Sequence, residues 1–175
     1  MSSKIDGVGM PDSWQRIWAP HRMEYLRGEN RPLPTNDVQC PFCRIPSLSD
    51  EEGLIVHRGK TSYVVMNLYP YNAGHLLVCA YRHVADLTDL TADERNEISE
   101  LTAHAMTTLR KVSSAGGFNI GMNQGAVSGA GVAEHIHQHI VPRWGGDSNF
   151  MPIIGGVKVL PQLLSQTRSD IAAAW

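Results

Sequence analysis

Along LTADERNEISELTAHAMTTLRKV (residues 90–112) apolar positions recur at helical spacing. Ile98, Leu101, Ala105, Leu109 and Val112 fall on one face. Thr91 and Glu94 form a capping-box pair at the front of that stretch, so the pattern predicts one long helix with a defined start. Elsewhere the apolar residues gather into short β-branched and aromatic runs. GLIVHRG (53–59) and TSYVVMNLYP (61–70) predict a hairpin, PYNAG (70–74) a turn, and HLLVCAYR (75–82) a third strand. Two more strands are predicted at FNIGMNQ (118–124) and HIHQHIV (135–141), across the glycine-rich GAVSGAGVAE. Toward the ends, DSWQRIWAPHRMEYLR (12–27) reads as one or two short helices, with Ser13 as a cap and Pro20 opening the second. GENRPLPTNDVQ (28–39) is a polar connection, and VLPQLLSQTRSDIAAAW (159–175) reads as a last helix with Pro161 near its start. Strand runs interrupted by one long helix predict an α+β fold with an antiparallel sheet.

Composition narrows the function more than the fold. The 175 residues suffice for one domain with terminal extensions. With 42% apolar and 18% charged residues the chain reads as a soluble globular protein. A formal net charge of −2 argues against nucleic acid or an anionic membrane as partner. No apolar run approaches the roughly 20 residues of a membrane span. The start, MSSKIDGVGMPDSW, lacks the apolar core of a signal peptide. Three cysteines, two of them in CPFC, do not suggest a secreted disulfide framework, so a cytoplasmic protein is expected.

The candidate chemistry lies in AEHIHQHIVPRW (133–144), which holds three of the chain's eight histidines. On a strand, alternate residues share a face about 6–7 Å apart. His135, His137 and His139 would then form a row, with Ile136 and Ile140 turned toward a core and Gln138 on their side. Three readings fit such a row: a solvated polar face, a metal site, or nucleophilic catalysis. The preceding glycine-rich loop suits the last, because it can aim backbone N–H groups at an anion. Upstream, Cys40 and Cys43 have the Cys-X-X-Cys spacing of a zinc knuckle, which needs two further ligands. A redox pair is the rival reading, without a thioredoxin-like βαβ context. Cys79, inside an apolar strand, is most simply a buried thiol.

HIHQHIVPRW resembles the His-X-His-X-His-X-X signature of the histidine triad (HIT) superfamily of nucleotide hydrolases and transferases. The resemblance extends to MNLYPYNAGHLLVCAYRHV (66–84) and FNIGMNQGAVSGAGVAEHIHQHIVPRWGGDSNF (118–150). It implies an antiparallel five-stranded half-barrel sheet with a long helix and helical N- and C-terminal extensions. The expected boundaries are 1–39 for the first extension, 40–150 for the HIT domain and 151–175 for the tail. It implies that His137 attacks the α-phosphorus to form a covalent nucleotidyl-histidine, that His139 supports the phosphate oxygens, and that His75 supports the cluster. Gln124 matches an amide near the phosphate or leaving group, and Ala130, Gly131, Val132 and Ala133 occupy the stretch whose backbone contacts phosphate. Asn67 matches a ribose-binding position, although it also suits a turn.

Some members of the superfamily hold a structural zinc, and the matching positions here are Cys40, Cys43, His83 and His135. His104, within the long helix, would be a weak substitute for His83. RWGGDSNF, IIGGVKVLPQLL and the leading extension resemble the branch that cleaves dinucleoside polyphosphates, particularly the diadenosine tetraphosphate phosphorylases. That implies nucleotide and inorganic phosphate as partners and a homodimer or tetramer around the long helix and a strand edge. Phosphorolysis to ADP and ATP is the first reading. Hydrolysis of dinucleoside polyphosphates or nucleoside phosphoramidates by water is the second, and a non-catalytic nucleotide-binding regulatory protein the third. The choice between the first two depends on a second anion site beside His137, built from the glycine-rich loop with Arg143 or Trp144. In the plainer reading Arg143 forms an ordinary ion pair and Trp144 a core or dimer contact.

Overall fold

A computed structural model describes residues 40–147 and 160–175. The helices expected within 12–27 and the extension 1–39 lie outside these residues, as do 148–150 of the expected domain and 151–159 of the tail. After a short helix α1 (Pro41–Arg44) the chain forms strands β1 (Ile55–Arg58), β2 (Ser62–Met66) and β3 (Leu76–Ala80). The long helix α2 (Ala92–Ser113) follows, then β4 (Gly117–Met122), β5 (His137–Arg143) and α3 (Leu164–Ala173). The strands make one open five-stranded sheet in the order β1-β2-β3-β5-β4, every neighbouring pair antiparallel.

The sheet's two faces are read from the alternation of residues along β2 and β3, which are buried throughout. Val64, Met66, Leu76, Val78 and Ala80 meet Ile98, Leu101, Ala105 and Leu109 of α2 in one core, with Ile136 and Ile140. Tyr63, Val65, Leu77 and Cys79 face the other way, toward Cys40 and Phe42. Covered strands of this kind read as continuous apolar runs, which is how SYVVM and LLVCA look.

Helix α2 starts as the pattern predicts. Thr91 accepts from the Glu94 N–H at 3.2 Å, and Glu94 accepts from the Thr91 N–H at 2.7 Å. Arg82 clamps the same carboxylate through two 2.7 Å bonds, and this pairing holds the Glu94 pKa down to about 2. The helix ends at Ser114 in the left-handed conformation. Val112 is a correction: it sits in the last turn, outside the buried set, and is 37% exposed.

The predicted strand 135–141 is corrected in register. β5 spans His137–Arg143, because its partner β3 ends at Ala80, just past the Cys79–His137 pair. His135 therefore precedes the strand, and the three histidines do not form one row. The tail helix begins at Leu164, after Pro161, and Arg168 ties it to β1 by donating to the Ile55 carbonyl at 2.6 Å. No helix of the described residues is long and apolar enough to cross a membrane.

Candidate active site

On β5, His137 stands opposite Cys79 and His139 opposite Leu77. Both imidazoles therefore share the sheet face turned away from α2, while Gln138 reaches back to the helix and donates to Thr102 at 2.6 Å. Next to them opens a cavity of about 370 Å³. Phe42, Ile45, Leu54, Val65 and Leu77 form its apolar lining, and Asn67, His137 and His139 add polar groups.

Backbone carbonyls decide which nitrogen each histidine presents. His137 Nδ1 lies 2.8 Å from the His135 carbonyl oxygen. A carbonyl only accepts, so Nδ1 carries the hydrogen and Nε2 keeps its lone pair. Burial holds this imidazole below its ordinary pKa against the opposing pull of that hydrogen bond. The ring is thus neutral, with a nucleophilic nitrogen, on a side chain that lines the cavity.

The second chain of bonds starts at a main-chain donor. The Tyr71 N–H donates to His75 Nδ1 at 3.0 Å, so His75 carries its hydrogen on Nε2. His75 Nε2 donates to His139 Nδ1 at 2.9 Å, which leaves the hydrogen of His139 on Nε2. That Nε2 is buried and has no hydrogen-bond partner among the described residues. A buried donor without a partner is costly, and here it marks a place for an acceptor such as a phosphate oxygen. Burial and neighbouring imidazoles lower His75 to about 3 and His139 to about 4, so both are neutral at neutral pH. Gly74 turns the chain into His75: its φ is +70°, and a Cβ there would meet Leu109 at 3.2 Å.

The cysteine pair and the first histidine of the motif gather separately. The ligand atoms of Cys40, Cys43, His83 and His135 all lie within 4.8 Å of one another. His135 Nδ1 is 3.4 Å from Cys40 Sγ and 3.5 Å from Cys43 Sγ, and His83 Nδ1 is 3.2 Å from Cys43 Sγ. A tetrahedral ion with bonds of about 2.0–2.3 Å separates its ligand atoms by about 3.3–3.8 Å. His135 Nε2 donates to the Ala80 carbonyl at 2.9 Å, which directs the Nδ1 lone pair at the thiols. This set could hold a metal ion. His104 is not part of it: exposed on α2, it stacks on Trp175.

The other expected residues divide. Asn67 lines the cavity and also makes the turn, accepting from the Tyr69 N–H at 3.0 Å. Gly131 and Val132 line the cavity, whereas Ala130 and Ala133 flank them outside its lining. Gln124 is not brought to the cavity. Its Oε1 accepts from the Leu87 N–H at 2.9 Å, and Asn123 is the amide that reaches the lining. Arg143 and Trp144 take the plainer of their expected parts. Arg143 pairs with Asp147 and donates to Asn119, and the Trp144 indole donates to the Ser113 carbonyl. Sequence reading passed over Phe42, whose ring lies 4.7 Å from His137, and Tyr71, whose ring stacks 5.5 Å from His139. Phe42 could have been noticed as the apolar residue inside CPFC. Nothing in the PYNAG turn marked Tyr71.

The family model of the HIT domain matches residues 50–146. The chain belongs to the HIT domain family. It is 51% identical over 172 residues to the AP-4-A phosphorylase of Mycobacterium tuberculosis, across 97% of this chain and 88% of that protein. A shorter match, 37% identical over 89 residues, reaches the asymmetrical bis(5'-nucleosyl)-tetraphosphatase of Schizosaccharomyces pombe, across 51% of this chain and 48% of that one. Among solved structures, a Zn-bound histidine triad family protein from Mycobacterium smegmatis superimposes with a TM-score of 0.63 at 25% identity, over 79% of this chain and 94% of that one. The HIT resemblance seen in the histidine signature is thereby borne out, and the open antiparallel sheet is the HIT-like fold.

Proposed function

We propose that this HIT protein is a diadenosine tetraphosphate phosphorylase working through a nucleotidyl-histidine. The observation that carries the proposal is the pair of opposed tautomers beside one cavity. A lone-pair Nε2 on His137 adjoins an unsatisfied Nε2–H donor on His139. Similarity across nearly the whole chain to a protein named as an AP-4-A phosphorylase supports this substrate and acceptor.

In the first step His137 Nε2 attacks the α-phosphorus, the P–N bond forms, and the bond to the bridging oxygen breaks. ATP departs. In the second step an oxygen of inorganic phosphate attacks the same phosphorus, the P–N bond breaks, and ADP leaves. His139 Nε2–H donates to the phosphoryl oxygens as charge builds, and His75 with the Tyr71 N–H holds that donor in its tautomer. The apolar lining around Phe42 takes one adenine, Asn67 the ribose, and Gly131 and Val132 the phosphate side.

A zinc ion suits Cys40, Cys43, His83 and His135, a reading supported by their spacing and by the Zn-bound relative in structure. Bound there, zinc would supply structural cross-linking, tying the α1 segment to the residues that precede β5. The segments 1–39 and 151–175 are read as extensions of the HIT domain at 40–150, and the protein as a cytoplasmic homodimer or tetramer. Supporting assembly, β4 is an edge strand with Ile120 45% exposed, and Val112 stands out from α2.

Incubation with diadenosine tetraphosphate, with and without inorganic phosphate, tests the reading. ADP and ATP formed only when phosphate is present is the expected result. AMP and ATP in its absence would make the protein a hydrolase, and no turnover would leave a nucleotide-binding protein.

A further inference from the structure

Four rings line up across the site. Phe42 lies 4.7 Å from His137, His137 5.0 Å from His139, and His139 5.5 Å from Tyr71. The two aromatic ends differ sharply. Phe42 is 9% exposed, while Tyr71 is 56% exposed. Tyr71 packs against His75 at 4.6 Å and lies nearly parallel to His139, at 15°, while more than half of the residue stays exposed. Leu68 and Tyr69, 60% and 80% exposed, stand beside it, and all three line the catalytic cavity. Exposed apolar side chains concentrated at one rim mark a binding surface.

The cavity supplies the second half of the argument. At about 370 Å³ it stands at the small end of ligand sites, a volume suited to one nucleotide. We propose that the exposed Tyr71 is the stacking platform for the second nucleoside of a dinucleoside polyphosphate, so that the two bases end on Phe42 and Tyr71 with the phosphates crossing His137 and His139 between them. This rests on the function proposed above. The platform is pre-set: the Tyr71 main chain is held by His75 and its ring by His75 and His139 together, so stacking orders little that is not already ordered. A π-face accepts any base, so this end would contribute affinity for a second nucleoside without choosing among bases.

The test compares kcat/KM for diadenosine tetraphosphate with that for adenosine 5'-tetraphosphate, which carries the same phosphates and one nucleoside. Both are measured with saturating inorganic phosphate. Tyr71→Ala is expected to lower the ratio of the two by about tenfold, and Tyr71→Phe to keep it. A general loosening of His139 would depress both substrates together and cancel in the ratio. An unchanged ratio in Tyr71→Ala overturns the platform, whatever happens to the separate rates or to the association state. Wild-type protein that turns over neither substrate overturns the functional reading itself, a result distinct from the unchanged ratio.

Discussion

His135 and His137 are two residues apart and present opposite nitrogens. His135 gives its Nε2–H to the Ala80 carbonyl and turns Nδ1 toward two thiols. His137 gives its Nδ1–H to the carbonyl of His135 itself and keeps Nε2 for the cavity. The side chains are chemically identical, so the main-chain acceptor nearest each ring does the sorting. One histidine signature thus presents two kinds of nitrogen, one suited to a metal and one proposed as a nucleophile, divided at the residue where β5 begins. They are also joined, because the carbonyl that sets the tautomer of His137 belongs to the candidate ligand His135.

The sharpest way to break the comparison is to remove the proposed nucleophile. His137→Ala is expected to reduce kcat by about 10⁴-fold or more while nucleotide affinity stays within about tenfold. Loss of the atom that forms the bond to phosphorus should cost the transition state far more than the ground state. Single-turnover kinetics beside equilibrium binding would separate the two, and near wild-type turnover would remove His137 from its role.

Next in size is the side suited to a metal. With zinc held as proposed, Cys43→Ser should release it and lower Tm by about 10 °C, since binding energy at such a site is folding energy. The comparison predicts a further loss in turnover through the displaced His135 carbonyl. Elemental analysis of protein purified without chelators gives the metal content. A metal-free wild-type protein of unaltered Tm would leave the four residues as a hydrogen-bonded cluster.

A smaller effect is expected at the supporting histidine. His75→Gln should lower kcat by about ten- to a hundredfold with little change in KM, because it disturbs the donor on His139 and leaves the cavity lining in place. A change confined to KM would place His75 in ground-state binding instead.

Much of this was legible in the sequence, for identifiable reasons. The capping box and the Ile98–Leu109 face are local signals, and α2 forms where they place it. The apolar runs of β2 and β3 had only one sheet to fill. The start of β5 was not legible, because it depends on where β3 stops pairing, a property of another segment. Val112 kept the helical period but outran the surface it would pack on. Gln124 and Asn123 are adjacent amides, and only the turn at Leu87 decides which one faces the cavity. Tyr71 was hidden for a different reason: its contribution runs through a main-chain N–H and a stacked ring, neither of which depends on a recognisable pattern.

The smallest effect concerns pH and applies to the proposed catalytic side alone. His75 titrates near 6.5 when unfolded and near 3 in the fold, where burial disfavours its charged form. Between those values the unfolded chain binds the extra proton, so stability rises with pH across that window. The contribution is fully present above about pH 6.5 and is lost as pH falls toward 3. Lowering the pH from 7 to 5 should therefore cost about 1–2 kcal/mol from this residue, to be read from denaturant melts at each pH. Acid-labile metal ligation would add its own loss, so the informative quantity is the difference between wild type and His75→Gln. That difference should narrow as the pH falls. If the two curves stay parallel from pH 7 to pH 5, His75 is not held neutral by burial, and the tautomer chain to His139 loses its anchor.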